Sequence, residues 1–353
     1  MKKIIAIILA LLMLGTLVFG CSPKTPAAPS GDAADDTVYE VTFSSQNAES
    51  SIHSQNAIEL WGNKIEEATG GRVKFVYYWS SSISGIPELL DNLESGTVDA
   101  AWAATGSYAG RLTALIGASA PGRGIRSTAA GAEAVWNWLH EEECQKELGS
   151  LVLAAAYPNG DVVINNKVKE IQTAQDFQGL RLRATNSAWQ AVFEELGIVP
   201  MSFGMNDTYE NLEKSVCDGL VQDFDFLSWS RIYEVSPYSM DLPCSINVSM
   251  LLFSQHFIDR LPEDLREIVL GCGGLELSRA CGESLAQNDI SRKQVFIDNG
   301  GIVYTPSAEV VSALQGSFGM GVDNWMKECD AKGYDGQALN SRLLEVIGPF
   351  VGK

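Results

Sequence analysis

Val38-Tyr39-Glu40-Val41-Thr42-Phe43-Ser44, residues 38–44, reads as a β-strand, and the sequence that follows it decides the fold class. Ala57, Leu60, Trp61, Ile65 and Ala68 recur at helical spacing, and Gly70-Gly71 ends that helix. Val73, Phe75, Tyr77 and Trp79 then alternate along a second strand. Ile86, Leu89, Leu90 and Leu93 line another helix, which stops at Gly96, and residues 97–103 supply a third strand. The order β-α-β-α-β predicts a parallel sheet covered by helices.

The same rhythm returns after about residue 162. Residues 180–184 read as a short strand, Trp189, Val192, Phe193 and Leu196 as a helix closed by Gly197, and Tyr209, Leu212 and Val216 as a second helix before a strand over 219–224. Pro262 opens a long helical stretch that reaches Asn299, with a kink expected at Gly271, Gly273 and Gly274. Residues 302–304 add a last strand. Two α/β lobes place a ligand cleft at the carboxyl ends of their strands.

The N-terminus reads as an export signal. Lys2 and Lys3 precede the apolar run Ile4–Leu14, and Gly20 leads directly into Cys21, which resembles a bacterial lipobox in which that cysteine carries lipid. The run is borderline against the roughly 20 apolar residues that span a bilayer. Residues 1–20 are thus expected to be a lipoprotein signal peptide. Residues 21–36, rich in Pro, Ala, Ser and Asp, are expected to be a flexible tether to the outer face of the membrane.

The formal net charge is -19. Nucleic acid is a poor partner for such a chain, because phosphate binding needs clustered Lys and Arg. An anionic ligand would need a local positive group against that overall field. Besides Cys21 there are Cys144, Cys217, Cys244, Cys272, Cys281 and Cys329, dispersed without the spacing of a zinc site or a disulfide scaffold, so buried free thiols are favoured over bridges. The three histidines, His53, His140 and His256, have no metal-like neighbours, and nucleophile elbow, P-loop, H-E-x-x-H and C-x-x-C motifs are absent. Gly122-Arg123-Gly124 starts like a dinucleotide fingerprint but does not complete it. Abundant Asp and Glu leave an acid–base pair possible, so an exported enzyme stays open as one alternative and a receptor feeding a membrane sensor kinase as another.

One set of motifs is more specific. Gln178-Gly179-Leu180-Arg181-Leu182-Arg183, Leu196-Gly197-Ile198-Val199-Pro200-Met201 and Val216-Cys217-Asp218-Gly219 occur in that order. With Thr69-Gly70-Gly71-Arg72-Val73, Gly96-Thr97-Val98-Asp99, Tyr233-Glu234-Val235 and Leu261-Pro262-Glu263-Asp264, they resemble the solute-binding proteins of TRAP transporters, the DctP-like family. The resemblance runs from about residue 40 to 310. It implies a two-lobed, periplasmic-binding-protein-like α/β fold with crossing strands and a long hinge-spanning helix. Lobe I would comprise residues 37–161 with 247–288, and lobe II residues 162–246 with 289–353. It also implies capture of a small organic acid without a cofactor or catalysis, and delivery to a TRAP-type membrane permease driven by an ion gradient.

The resemblance also nominates site residues. Arg183 falls where family members commonly pair with a ligand carboxylate, and a guanidinium fork matches a carboxylate bidentately. Asn47 follows the first strand at a polar contact position, and Trp102 and Thr105 end the third. Trp79 ends the second strand, and for both tryptophans core packing competes with ligand stacking. Phe203 matches a pocket aromatic, although a longer following loop leaves Met205 as the alternative. Gln222 takes the place of a ligand-binding Asn, and Asp225 adds negative charge beside it.

Overall fold

The computed structural model describes residues 37–184 and 186–353. The expected signal segment, tether and Cys21 lie outside the described residues. The first α/β unit consists of β1 (Tyr39–Ser44), α1 (Glu59–Ala68), β2 (Val73–Tyr78), α2 (Leu89–Glu94) and β3 (Ala100–Ala104). Next, α3 (Ala129–Leu139) and α4 (Glu142–Leu148) lead into a 15-residue strand, β4 (Val152–Asn166). The second unit follows as β5 (Arg181–Arg183), α5 (Ser187–Glu195), β6 (Val199–Met201), α6 (Thr208–Glu213), β7 (Gly219–Gln222), α7 (Phe224–Trp229) and β8 (Tyr238–Met240). The chain returns through β9 (Ser245–Phe253), α8 (Gln255–Arg260), α9 (Glu263–Gly271) and α10 (Leu275–Asp298). It ends with β10 (Ile302–Tyr304), α11 (Ala308–Ala331) and α12 (Gly336–Ile347).

The strands run in the order β2-β1-β3-β9-β4-β7-β5-β6, with β8 and β10 paired beside β4. Within each lobe β1–β3 and β5–β7 pair in parallel, as the alternating sequence pattern predicts. Antiparallel β4 and β9 join the two lobes: β4 pairs with β9 from Val152 to Val162 and with β7 from Val163 to Asn166. Neither crossing strand declares itself by polar alternation, because both faces are covered. In β9, Ile246, Val248, Met250 and Leu252 enter one apolar cluster while Leu251 and Phe253 enter another. The register of β4 shifts between Pro158 and Asp161. A bulge tolerates a proline that cannot donate to the ladder, and it bends the strand where the lobes meet.

The expected continuous helix from Pro262 is two helices, with Gly274 at φ 96° between α9 and α10. Leu60, expected on the inner face of α1, is 57% exposed; Ala57, Trp61 and Ile65 bury instead. The strand expected over 219–224 stops at Gln222, because the Asp223 side chain accepts from Phe226 N–H and caps α7.

Two helices span the lobes. Leu277, Cys281 and Leu285 of α10 pack with the first lobe and Phe296 with the second. Val310 and Leu314 of α11 pack with the second lobe, whereas Trp325 and Cys329 reach the first, followed by Leu339, Leu343 and Ile347 of α12. The C-terminal segment is therefore not confined to the second lobe, as the boundary at 289–353 had it. All six described cysteines are free and buried.

Gly219 begins β7 because no side chain fits there. A Cβ would lie 2.1 Å from the Asn165 carbonyl oxygen and 2.8 Å from Asn166 Cα, both backbone atoms of β4. Gly219→Ala must push β7 off β4, and a loss of about 3 kcal/mol in unfolding free energy, read as a lower urea midpoint, is expected. A midpoint unchanged from wild type would show that the two strands can separate freely here.

Candidate functional site

A cleft with about 1200 Å³ of atom-free space, partly open to solvent, lies where the lobes meet. Elements of both lobes end at it. From the first lobe come Asn47 after β1, His53, and Trp102, Ala104 and Thr105 at the carboxyl end of β3. From the second come Arg183, Asn186 and Trp189, Met205, and the run Val221-Gln222-Asp223 with Asp225, Phe226 and Trp229. The crossing strands add Asn159, Val162, Asn247 and Val248, and α11 adds Trp325 and Glu328.

Arg183 ends β5, whose middle residue Leu182 is fully buried on the opposite face. Only 4% of Arg183 is exposed. Its Nε donates to the Phe203 carbonyl at 3.1 Å, and its guanidinium carbon lies 5.7 Å from the Phe203 ring centre. None of the ion pairs among the described residues involves it. Burial lowers it to about 10, which leaves it charged at neutral pH. Arg181, two residues earlier, is committed elsewhere: its Nε and an Nη donate to the two Asp218 oxygens at 2.9 and 2.7 Å. The two arginines of the motif thus divide into one that ties β5 to the loop before β7 and one that faces the cleft.

Gln222 and Asp223 share a donor. Asn247 Nδ2 donates to Gln222 Oε1 at 2.6 Å and to Asp223 Oδ2 at 3.0 Å, locking β7 to β9 across the junction. Burial, then the charge of Asp225, push Asp223 up to about 7. Asp225 accepts from Asn288 Nδ2 at 2.9 Å and pairs with Arg292 at 3.2 Å, both from α10. His53 Nε2 stands 3.9 Å from Asp225, and burial lowers the ring's affinity for a second proton. Buried His53 Nδ1 and Thr105 Oγ1 have no hydrogen-bond partner among the described residues.

Of the nominated residues, Arg183, Gln222, Asn47, Trp102, Thr105 and Asp225 come together at this cleft. Trp79 does not: its ring stacks on Tyr77 at 5.0 Å and 6° in the packing around Phe43. Phe203 stands behind Arg183, and Met205 takes the lining position. The sequence reading missed His53, Asp223, Asn247, Trp189 and Trp229. Asp223-x-Asp225 was visible as a charged pair in an apolar segment, and Asn247 as a lone amide in the apolar run 246–253. His53 carried no signal beyond its rarity.

Comparison with known proteins agrees with this architecture. The model of the DctP family, bacterial extracellular solute-binding protein family 7, matches residues 43–327. A TRAP solute-binding protein from Rhodoferax ferrireducens, solved with copurified benzoate, superposes with a TM-score of 0.81 at 22% identity, covering 89% of this chain and 98% of that one. One from a marine metagenome, specific for aromatic acids and bound to 3-hydroxybenzoate, gives 0.82 at 19% identity over 89% and 99%. The 2,3-diketo-L-gulonate-binding periplasmic protein YiaO of Escherichia coli is 21% identical over 52% of this chain and 56% of its own length. No described helix is long and apolar enough to cross a membrane. On the family match, which spans most of the chain and both lobes, this protein belongs to family 7 of the bacterial extracellular solute-binding proteins, the DctP family.

Proposed function

We propose that the protein captures a small organic acid with an apolar, ring-bearing body, holds its carboxylate on Arg183, and delivers it to a TRAP-type membrane permease. The observation that carries this reading is a buried arginine with no ion-pair partner among the described residues, facing a cleft walled in part by Trp102, Trp189, Phe226 and Trp229. A guanidinium in that position costs desolvation free energy that an incoming carboxylate offsets through two parallel hydrogen bonds. The benzoate, 3-hydroxybenzoate and mandelate bound by similar structures fit a cleft of this composition. Closure would bend the crossing strands at the β4 bulge and bring Trp229, 57% exposed at the cleft, over the ligand. Lipid on Cys21 and a tether over 21–36 would keep the receptor near its permease. The binding event needs neither cofactor nor chemistry.

A thermal-shift series on residues 37–353 tests the reading with aromatic acids, keto acids, sugar acids and dicarboxylates. A ligand at 100 times its Kd stabilises the native state by about 2.7 kcal/mol, roughly 5 °C for a chain of this size. An aromatic acid is expected to give the largest shift. A neutral aromatic amide shifting the midpoint as far as the matching acid would overturn the role of Arg183.

A further inference from the structure

The cleft has a second polar end that the carboxylate reading does not use. Resting on that reading, we infer that Asp223, Asp225 and His53 form a subsite for a hydrogen-bond donor on the ligand, so that the preferred solute is a hydroxy- or amino-substituted acid. A plain aromatic acid or a dicarboxylate would be disfavoured.

Three observations lead there. First, charge at this end is unbalanced. Asp223 and Asp225 face the cleft, and Asp289 of α10 and Asp161 of β4 lie close enough to act electrostatically on their neighbourhood. Against them stand Arg292 on Asp225 and Arg126 on Asp161, with His53 held toward its neutral form. Among the described residues Asp223 has no cation within ion-pair distance; its partners are the Asn247 amide and the Phe226 N–H. A second carboxylate arriving here would meet repulsion, whereas a hydroxyl or ammonium would find acceptors.

Second, His53 is 7% exposed, lines the cleft, and has an Nδ1 without a partner among the described residues. A neutral imidazole with one ring nitrogen beside Asp225 and the other unsatisfied can donate to or accept from a ligand group that also reaches the carboxylates. Leaving such an atom unpaired costs about 1–3 kcal/mol, which a ligand contact removes.

Third, the surrounding backbone is shaped around Asp223. Gly160 in the β4 bulge has φ +153°, and a Cβ there would lie 2.4 Å from Asp223 Cβ. Capping α7 requires only a short polar side chain, which Ser or Asn supplies as well as Asp. An ionisable group buried at this junction is therefore more than the cap needs. Arg183 and Asp223 also belong to one ligand-sized region. Arg183 pairs in register with Leu220 of the neighbouring parallel strand, three residues before Asp223, and both residues line the same cleft.

The test is calorimetric titration of the purified protein with four matched acids: benzoate, 3-hydroxybenzoate, 3-(aminomethyl)benzoate and isophthalate. Either the hydroxy or the aminomethyl acid is expected to bind at least about tenfold tighter than benzoate, and isophthalate at least about tenfold weaker. Which donor acid wins distinguishes a hydroxyl from an ammonium ligand. In Asp223→Asn, which keeps the helix cap, the ratio between the better donor acid and benzoate should collapse toward one; His53→Gln gives a second reading should that variant fold poorly. Isophthalate binding as tightly as the donor acids overturns the subsite while leaving Arg183 recognition standing, as does a donor-to-benzoate ratio unchanged in both variants. Absence of binding by all four acids would overturn the carboxylate reading and the subsite with it.

Discussion

Arg183→Ala is expected to weaken binding of an aromatic carboxylate by roughly 150-fold, equivalent to about 3 kcal/mol for truncating one partner of a buried charge pair. The loss is large because no other described lining residue is an arginine or lysine, so nothing in the cleft replaces the guanidinium opposite a ligand carboxylate. Arg183→Lys should recover only part of it, since an ammonium keeps the charge but not the planar fork. Stability should move in neither variant as affinity does. The buried guanidinium is poorly solvated, as its lowering to about 10 reflects, and its hydrogen bond to the Phe203 carbonyl is one contact. Arg181→Ala is the matched control. It breaks the bidentate pair with Asp218 beside β7, so it should lower the unfolding midpoint while changing affinity by less than about threefold. Titration calorimetry with benzoate on all three variants measures this. Comparable affinity losses at positions 181 and 183 would show that Arg183 acts through the shape of the second lobe and not by touching ligand.

Asp223→Asn is expected to stabilise the unliganded protein at alkaline pH by up to about 4 kcal/mol, with the advantage vanishing toward pH 4. Burial raises the folded-state carboxyl from 3.8 to about 7, with Asp225 adding to the shift. Between those two values the native state holds a proton that the unfolded chain has lost, so wild-type stability falls as pH rises through that window and levels off above it. The groups around the carboxyl agree with that sign. Asp225 opposes its charge and Asp289 and Asp223 repel one another, while Arg292 is engaged on Asp225. Asparagine removes the charge and keeps an oxygen to accept from Phe226 N–H. Urea unfolding of both proteins from pH 4 to pH 8 measures the difference. A variant less stable than wild type at pH 8 would mean that Asn247 and the α7 amide stabilise the ionised form by more than burial disfavours it.

Both predictions turn on residues whose environments differ from what their neighbours in sequence suggest. Arg181 and Arg183 are chemically identical and two positions apart, and strand alternation sends both to one side of β5. What separates them is Asp218, which meets Arg181 only because β7 pairs with β5. Trp79 and Trp102 were equal candidates when read as strand ends. Trp79 is absorbed by the stack of Tyr77 and Phe43, and Trp102 reaches the cleft because β3 lies between β1 and the crossing strand β9. In the same way, Asp223 reads as an ordinary helix cap until α10 brings Asp289 near it and the β4 bulge brings Gly160 against it.

Local periodicity and turn residues by themselves determined the two α/β units, most strand positions and the helix ends at Gly70, Gly96 and Gly197. Those features depend on which face of a few consecutive residues is apolar and on where a left-handed backbone is required, and both are written in adjacent positions. The ordered motifs likewise pointed to Arg183 and Gln222. The tertiary structure alone decided which strands cross, β4 and β9, the return of α11 and α12 to the first lobe, and the gathering of His53, Asp223 and Asn247 at one end of the cleft. Strands covered on both faces carry no alternation to announce them, and a cluster assembled from positions 53, 223 and 247 exists only once long-range pairing has closed the sheet.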